Sequence, residues 1–398
     1  MKKFLQIFAL CALCVLAAPM VFAAKCKEPI VVTATKNDIG KIIRAKDDIT
    51  IKLVGDIDDN TATSLWLGFW KWNDQLSLRG RIELDMSKTT GTEEFPVEAF
   101  DEAYNLRSII LPSNVKSIGK WVFRNCGNLK AIIIDENNEY YKSIDGVLYS
   151  NDGSTLVRYP PDKTGKSFLI PNTVKNIEDG AFYACDNLAE IIVDENNENY
   201  KAVDGVLYNK DTTLLIQYPA NKMDKSFVVP NGIESISIGA FAKNGKLKTL
   251  IIPEGVKCIE DRTFISCSGL KSITIPDSVE TIGNFAFRYC WSLKKIIIPD
   301  GVKTIGDFAF DCCSHLEIVK LPDTLKTIGY GAFSKCESLK SITIPAGIEN
   351  INSAFETCKS LKTINYKGSK EQWNAIDKEP YWNKGCPSTM KINFNYQE

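Results

Sequence analysis

Histidine is almost absent from this chain: His315 is the only one among 398 residues. One imidazole excludes multi-histidine metal sites, and any histidine-based triad would have to use this single residue. It stands between Cys313 and Leu316 in an ordinary stretch of a repeat, which reads as a structural position. Outside the first 23 residues there is no Cys-x-x-Cys pair, and Cys312-Cys313 is an adjacent pair without metal or redox spacing. Neither a P-loop nor a glycine-rich dinucleotide fingerprint occurs. An excess of one charge is missing too, with 48 basic residues against 49 acidic ones. No basic stripe is evident in that balance, so nucleic acid is not an expected partner. With no catalytic constellation and no expected cofactor or metal, the chain reads as a binder and not an enzyme.

Long apolar runs are confined to the beginning. Lys2 and Lys3 precede an apolar run from Phe4 to Ala18, Pro19 breaks it, and Val21-Phe22-Ala23 is a small-residue cleavage pattern. This is the layout of a secretory signal peptide over residues 1–23, too short for a membrane span. The expectation is an exported chain without a membrane span, either at the cell surface or secreted, with the periplasm as the alternative. A lipid anchor on Cys26 competes with simple cleavage, although Lys25 is a poor residue before such a site. Removing Cys11 and Cys14 with the leader takes thirteen cysteines to eleven, an odd number that argues against a complete disulfide framework.

What the chain has in abundance is a repeat. A Phe returns every 23 residues at Phe264, Phe287, Phe310 and Phe333, then at Phe355 after 22. A fixed period of this length means a solenoid whose coils bury their apolar faces against their neighbours. In one copy, Ile273 and Ile275 alternate with Ser272 and Thr274 as a short strand with one buried face, and Pro276 ends it. Val279 and Ile282 point inward, Gly283 allows a corner, and Ala286-Phe287 enters the core in a short helical turn beside Cys290. Seven cysteines, Cys126, Cys185, Cys267, Cys290, Cys313, Cys336 and Cys358, follow the repeat Phe by three residues and read as small buried thiols.

Two coils are longer, with 36 residues from Ile132 to Phe168 and from Ile191 to Phe227. Both carry Asp-Gly-Val-Leu-Tyr, at Asp145–Tyr149 and Asp204–Tyr208, which reads as a hairpin projecting from one face. The organisation is then a signal peptide over 1–23, an N-terminal cap region over 24–80, the solenoid over 81–366 with long repeats at 132–167 and 191–226, and a C-terminal cap over 367–398. Solenoid ends need caps, so Trp66, Trp70, Trp72, Trp373 and Trp382 read as cap cores. Asp135–Glu139 and Asp194–Glu198 (both Asp-Glu-Asn-Asn-Glu) gather oxygens that a hard cation could use. The ordering of a calcium loop is absent, Asp/Asn clusters are ordinary turn formers, and no metal is assigned.

The pattern Leu-x-x-Ile-x-Ile-Pro-x-x-Val-x-x-Ile-Gly-x-x-Ala-Phe-x-x-Cys resembles the leucine-rich repeats of BspA-like bacterial surface proteins. The Asp-Gly-Val-Leu-Tyr insertions and the closing Tyr366-Lys-Gly-Ser-Lys-Glu-Gln-Trp373-Asn-Ala-Ile376 are similar to segments of that family. The resemblance covers roughly Arg81 to Ile376. It implies a leucine-rich-repeat solenoid with a curved parallel β-sheet, short helical or irregular turns on the other side, and caps at both ends. It also implies an exported protein, since several members are adhesins or bind host matrix proteins.

Two columns of side chains project outward from the repeat strands. The candidate binding residues lie in the second: Ile110, Ile133, Leu169, Ile192, Val228, Ile251 and Ile297. An exposed apolar stripe is what partner sites look like, whereas outward β-branched residues also suit strands in general or lie under a cap or hairpin. The leading expectation is an interaction protein that binds a protein or other extracellular macromolecule through this face and the hairpins. The alternative is a structural envelope component that self-associates through the same stripe.

Overall fold

A computed structural model describes residues 30–33, 49–56, 81–91, 93–379 and 382–397. The leader, Cys26, Trp66, Trp70 and Trp72 lie outside the described residues. The chain divides into two compact units, residues 1–164 with 176–182, and residues 165–175 with 183–398. Each is a parallel β-solenoid.

The alternation of Ser272, Ile273 and Thr274 does form a strand, and its neighbours stack on it in register. Thr249–Ile251 pairs in parallel with Ser272–Thr274, matching Leu250 to Ile273 and Ile251 to Thr274. Parallel neighbours need a crossover connection, and here the rest of each coil supplies it. A second, two-residue strand follows the closing proline. Thr281–Ile282 pairs with Cys258–Ile259 on one side and Thr304–Ile305 on the other, within a five-stranded parallel sheet reaching Asn350–Ile351.

Gly283 has a different reason from a tight corner. A Cβ there would lie 2.6 Å from the backbone nitrogen of Asp261, and Gly306 and Gly329 meet the preceding coil in the same way. Glycine is required for the close approach of two backbones.

The segment around Ala286-Phe287 is not the helical turn expected. Phe285 and Tyr289 adopt left-handed φ values of 58° and 63°. This orients the N–H groups of Phe285, Phe287 and Tyr289 toward the carbonyls of Asp307, Ala309 and Asp311 on the next coil. Alternate donors are satisfied on the next coil, and those of Arg288 and Cys290 by the Phe285 and Phe287 carbonyls within the turn, which offsets a left-handed cost of about 1–2 kcal/mol for each non-glycine residue. The repeat Phe rings stack behind this ladder: Phe287 and Phe310 lie 5.0 Å apart at 3°, and Phe310 and Phe333 5.2 Å apart at 2°.

The cysteine after each Phe does more than fill space. Cys290 Sγ donates to the Phe264 carbonyl at 3.1 Å, Cys313 to Phe287 at 3.2 Å, and Cys358 to Phe333 at 3.0 Å. All ten described cysteines are free thiols. Burial pushes the thiols of Cys126 and Cys267 up to about 12, which suppresses the thiolate that oxidation requires.

The two long coils carry antiparallel meanders of three strands. Tyr141–Ile144 and Val147–Ser150 are joined by a turn with Asp145 and Gly146 both at positive φ, and Thr155–Arg158 follows after the polar turn. The same arrangement recurs over Tyr200–Val203, Val206–Asn209 and Leu214–Gln217. The acidic loops before them are asparagine brackets. Asn197, fully buried, donates to the Pro171 and Val174 carbonyls at 2.8 and 3.0 Å and accepts from the Asn199 and Tyr200 N–H groups at 2.9 and 2.8 Å. Asn138 does the same toward Ser113, Val115, Tyr140 and Tyr141. Asp135 and Asp194 accept from the N–H two residues on, as turn formers do.

Both flanking regions extend the sheet. Ile30–Thr33 and Ile49–Asp56 add parallel strands ahead of Ile82–Thr90, and Lys391–Asn393 adds one after Thr363–Tyr366. A helix over Lys370–Ala375 starts on a Ser369–Gln372 capping box. Its buried Trp373 meets Tyr366 and Trp382 edge-on, and Trp382 meets Phe355, so these two Trp rings serve the core.

Candidate interaction surface

The outward columns of the parallel strands are built by the same alternation that builds the core. In Lys295–Ile297, Ile296 is buried while Lys295 and Ile297 face out. Ile133, Leu169, Ile192, Val228, Ile251 and Ile297 are between 41 and 60 % exposed, whereas Ile110 is half-buried. Register brings Ile110 beside Ile133 in the first unit, and in the second Leu169 beside Ile192 and Val228 beside Ile251.

Within its own unit, each meander ends the strand pairing along this column. The Ile132 N–H bonds to the Gly146 carbonyl and the Ile191 N–H to the Gly205 carbonyl. Each meander thus folds its Asp-Gly turn against a strand edge and ends the local sheet there. Ile318, in the neighbouring column, is 53 % exposed and joins Val228, Ile251 and Ile297 in the regular run of coils.

Charge on this face is hidden by the near-neutral composition. In the second unit the residue before four successive strands is Lys225, Lys248, Lys271 and Lys294, and before the fifth, Ile318–Lys320, it is the exposed Glu317. The residue after the closing proline is Asn231 on the coil of Lys225, then Glu254, Asp277, Asp300 and Asp323 on the next four. The reading that no basic stripe exists is therefore corrected: the lysines are 23 residues apart in sequence and stack only through the register.

Two further surfaces flank the strands. In the first unit a groove of about 520 Å³ is lined by Ile118, Trp121, Tyr140, Tyr141 and Val157. Its charges are engaged internally, with Lys120 on Asp179 at 3.3 Å and the Arg158 guanidinium on the Phe123 carbonyl at 3.3 Å. On the turn side of the second unit, Arg288 lies over the Tyr289 ring at 4.6 Å and bonds buried Asp311 at 2.8 Å, beside stacked Phe285 and Phe308. His315 is exposed, with Nδ1 2.7 Å from the Trp291 carbonyl. No group of three His, Cys, Asp or Glu side chains among the described residues is placed to hold a metal. None of the described helices is long and apolar enough to cross a membrane.

Parallel strands on 23-residue coils with a stacked Phe core define a leucine-rich-repeat solenoid. The chain belongs to the BspA type leucine-rich-repeat family, whose repeat region matches in six copies over residues 84–152, 162–207, 220–299 and 259–388. Among solved structures it is similar to a leucine-rich repeat protein from Eubacterium ventriosum, with 26 % identity over 85 % of this chain and 91 % of that one and a TM-score of 0.55. It is also similar to a leucine rich cell surface protein from Faecalibacterium prausnitzii, with 24 % identity, 83 % and 86 % coverage and a TM-score of 0.47. The pneumococcal vaccine antigen PcpA matches at 23 % identity, 87 % and 73 % coverage and a TM-score of 0.46. No curated protein matches the chain.

Proposed function

We propose that this chain is an exported interaction protein, displayed at the cell surface or secreted, that binds a protein or other extracellular macromolecule in the manner of an adhesin. It acts as a binder and not as an enzyme, through the strand face and the two meander-bearing coils. The observation that carries this reading is the exposure of aliphatic side chains in strands whose other face packs into the core. Isolated apolar residues on a surface are ordinary, but a column of them in register is a partner site by its chemistry. Membership of the BspA type family supports the same role.

Changing Ile133, Ile192 and Ile251 together to Ser tests it. These side chains are exposed, so the thermal unfolding of the variant should stay close to that of the wild type. An immobilised wild-type chain should retain an extracellular macromolecule that the triple variant loses by tenfold or more. Equal retention by both would remove the strand face from the account.

A further inference from the structure

We propose that the strand face of the second unit, from the coil of Lys225 to that of Asp323, is a self-complementary interface, and that its occupant is a second copy of this chain. The inference rests on the strand face being an interaction surface and names its partner.

Backbone bonds stack the lysines one per coil: Lys248 N–H donates to the Lys225 carbonyl and Lys271 N–H to the Lys248 carbonyl, both at 2.8 Å, and Glu317 N–H to the Lys294 carbonyl at 2.9 Å. Glu254, Asp277, Asp300 and Asp323 form the opposite edge and are exposed, as are Lys225, Lys271 and Lys294. Extended chain advances about 3.3 Å per residue, so Lys271 and Asp277 stand about 20 Å apart and cannot pair with each other. Among the described residues Lys225, Lys248, Lys271, Lys294, Glu254, Asp277 and Asp300 make no ion pair, while Asp323 bonds Lys367 at 2.8 Å. The lysines beyond the acidic edge, Lys303 and Lys326, are engaged with Glu280 and Glu349.

Like charges stacked at the strand spacing of about 4.8 Å repel, and an opposite row relieves that repulsion. A two-fold axis running along the stack of coils reverses strand direction and keeps coil order. It sets Lys248, Lys271 and Lys294 of each copy on Glu254, Asp277 and Asp300 of the other, an isologous contact. Val228, Ile251, Ile297 and Ile318 are then covered between the rows, with the stems of Lys295 and Lys320 packed beside them. A two-fold along the strands would set lysine on lysine. Five coils by about 20 Å give about 500 Å² per copy, the size of a transient interface. Dimer and external ligand therefore compete for one face.

Sedimentation equilibrium of the full chain tests this. At about 100 µM and low salt the wild type should approach twice its monomer mass, and association should weaken tenfold or more in 0.5 M salt as screening shortens to a few Å. Lys248→Glu with Lys271→Glu and Lys294→Glu should give monomers. Glu254→Lys with Asp277→Lys and Asp300→Lys should do the same. An equal mixture of the two triple variants should form a heterodimer, because each then meets a face of opposite sign on both edges. A wild type that stays monomeric, or triple variants that each dimerise like it, would overturn the proposal. A monomer that still retains an external macromolecule would overturn the dimer alone and leave the binding reading in place.

Discussion

Replacing Phe310 with Ala should lower the unfolding free energy by about 3–5 kcal/mol, the range for truncating a fully buried aromatic side chain. Phe310 is unexposed, and its ring is stacked between Phe287 at 5.0 Å and Phe333 at 5.2 Å. The cavity cannot be filled from either side, because the main chain of both neighbouring Phe residues is tied to the following coil through the Phe287-to-Ala309 and Phe333-to-Ala354 bonds. The Cys336 Sγ bond to the Phe310 carbonyl at 3.3 Å uses the main chain and survives the substitution. Denaturant unfolding followed by circular dichroism reads the loss. A solenoid is stabilised by nearest-neighbour interfaces, so the transition should also broaden as coils on the two sides of the lesion uncouple. A change below 1 kcal/mol would mean that the Phe column is not the structural spine.

Asn197→Leu should cost about 3 kcal/mol or more, although the replacement is apolar, similar in size and fully buried. The Val174 carbonyl and the Asn199 and Tyr200 N–H groups lose their side-chain partner at once, while the Pro171 carbonyl keeps the Val174 N–H. Each buried group left without a partner costs about 1–3 kcal/mol. Asn196→Ala is the control, since Asn196 is exposed in the same loop and surface changes usually stay within about 0.5 kcal/mol. Equal melting temperatures for the two variants would contradict the bracket role.

These two residues differ in how visible they are in the sequence. Phe310 announces itself, because a 23-residue period must place equivalent side chains one above another. The alternation of Ile273 with Ser272 and Thr274 likewise foretells both the strand and its buried face. Asn197 reads only as part of an acidic loop, and nothing in Asp-Glu-Asn-Asn-Glu says which amide turns inward. The turn ladder was hidden for a physical reason: left-handed φ is read from Gly and Asn, but here Phe285, Tyr289 and Phe308 adopt it for inter-coil bonds. The first strand of each meander was legible in principle, since Asp145-Gly146 is a strong two-residue hairpin signal. The end of strand pairing at each meander was not, because it depends on where the Asp-Gly turn docks after the coil has closed. The lysine and acidic edges were hidden by a net charge near zero, which averages over what the register separates.

The proposed function places the strand face outside the cell, and protease accessibility tests that directly. Intact cells and lysed cells are treated with the same protease, and the repeat region is followed with an antibody to the chain. The account predicts digestion of the repeats on intact cells, or their recovery from the medium. Full protection until the envelope is opened would contradict it and assign the strand face to an internal partner.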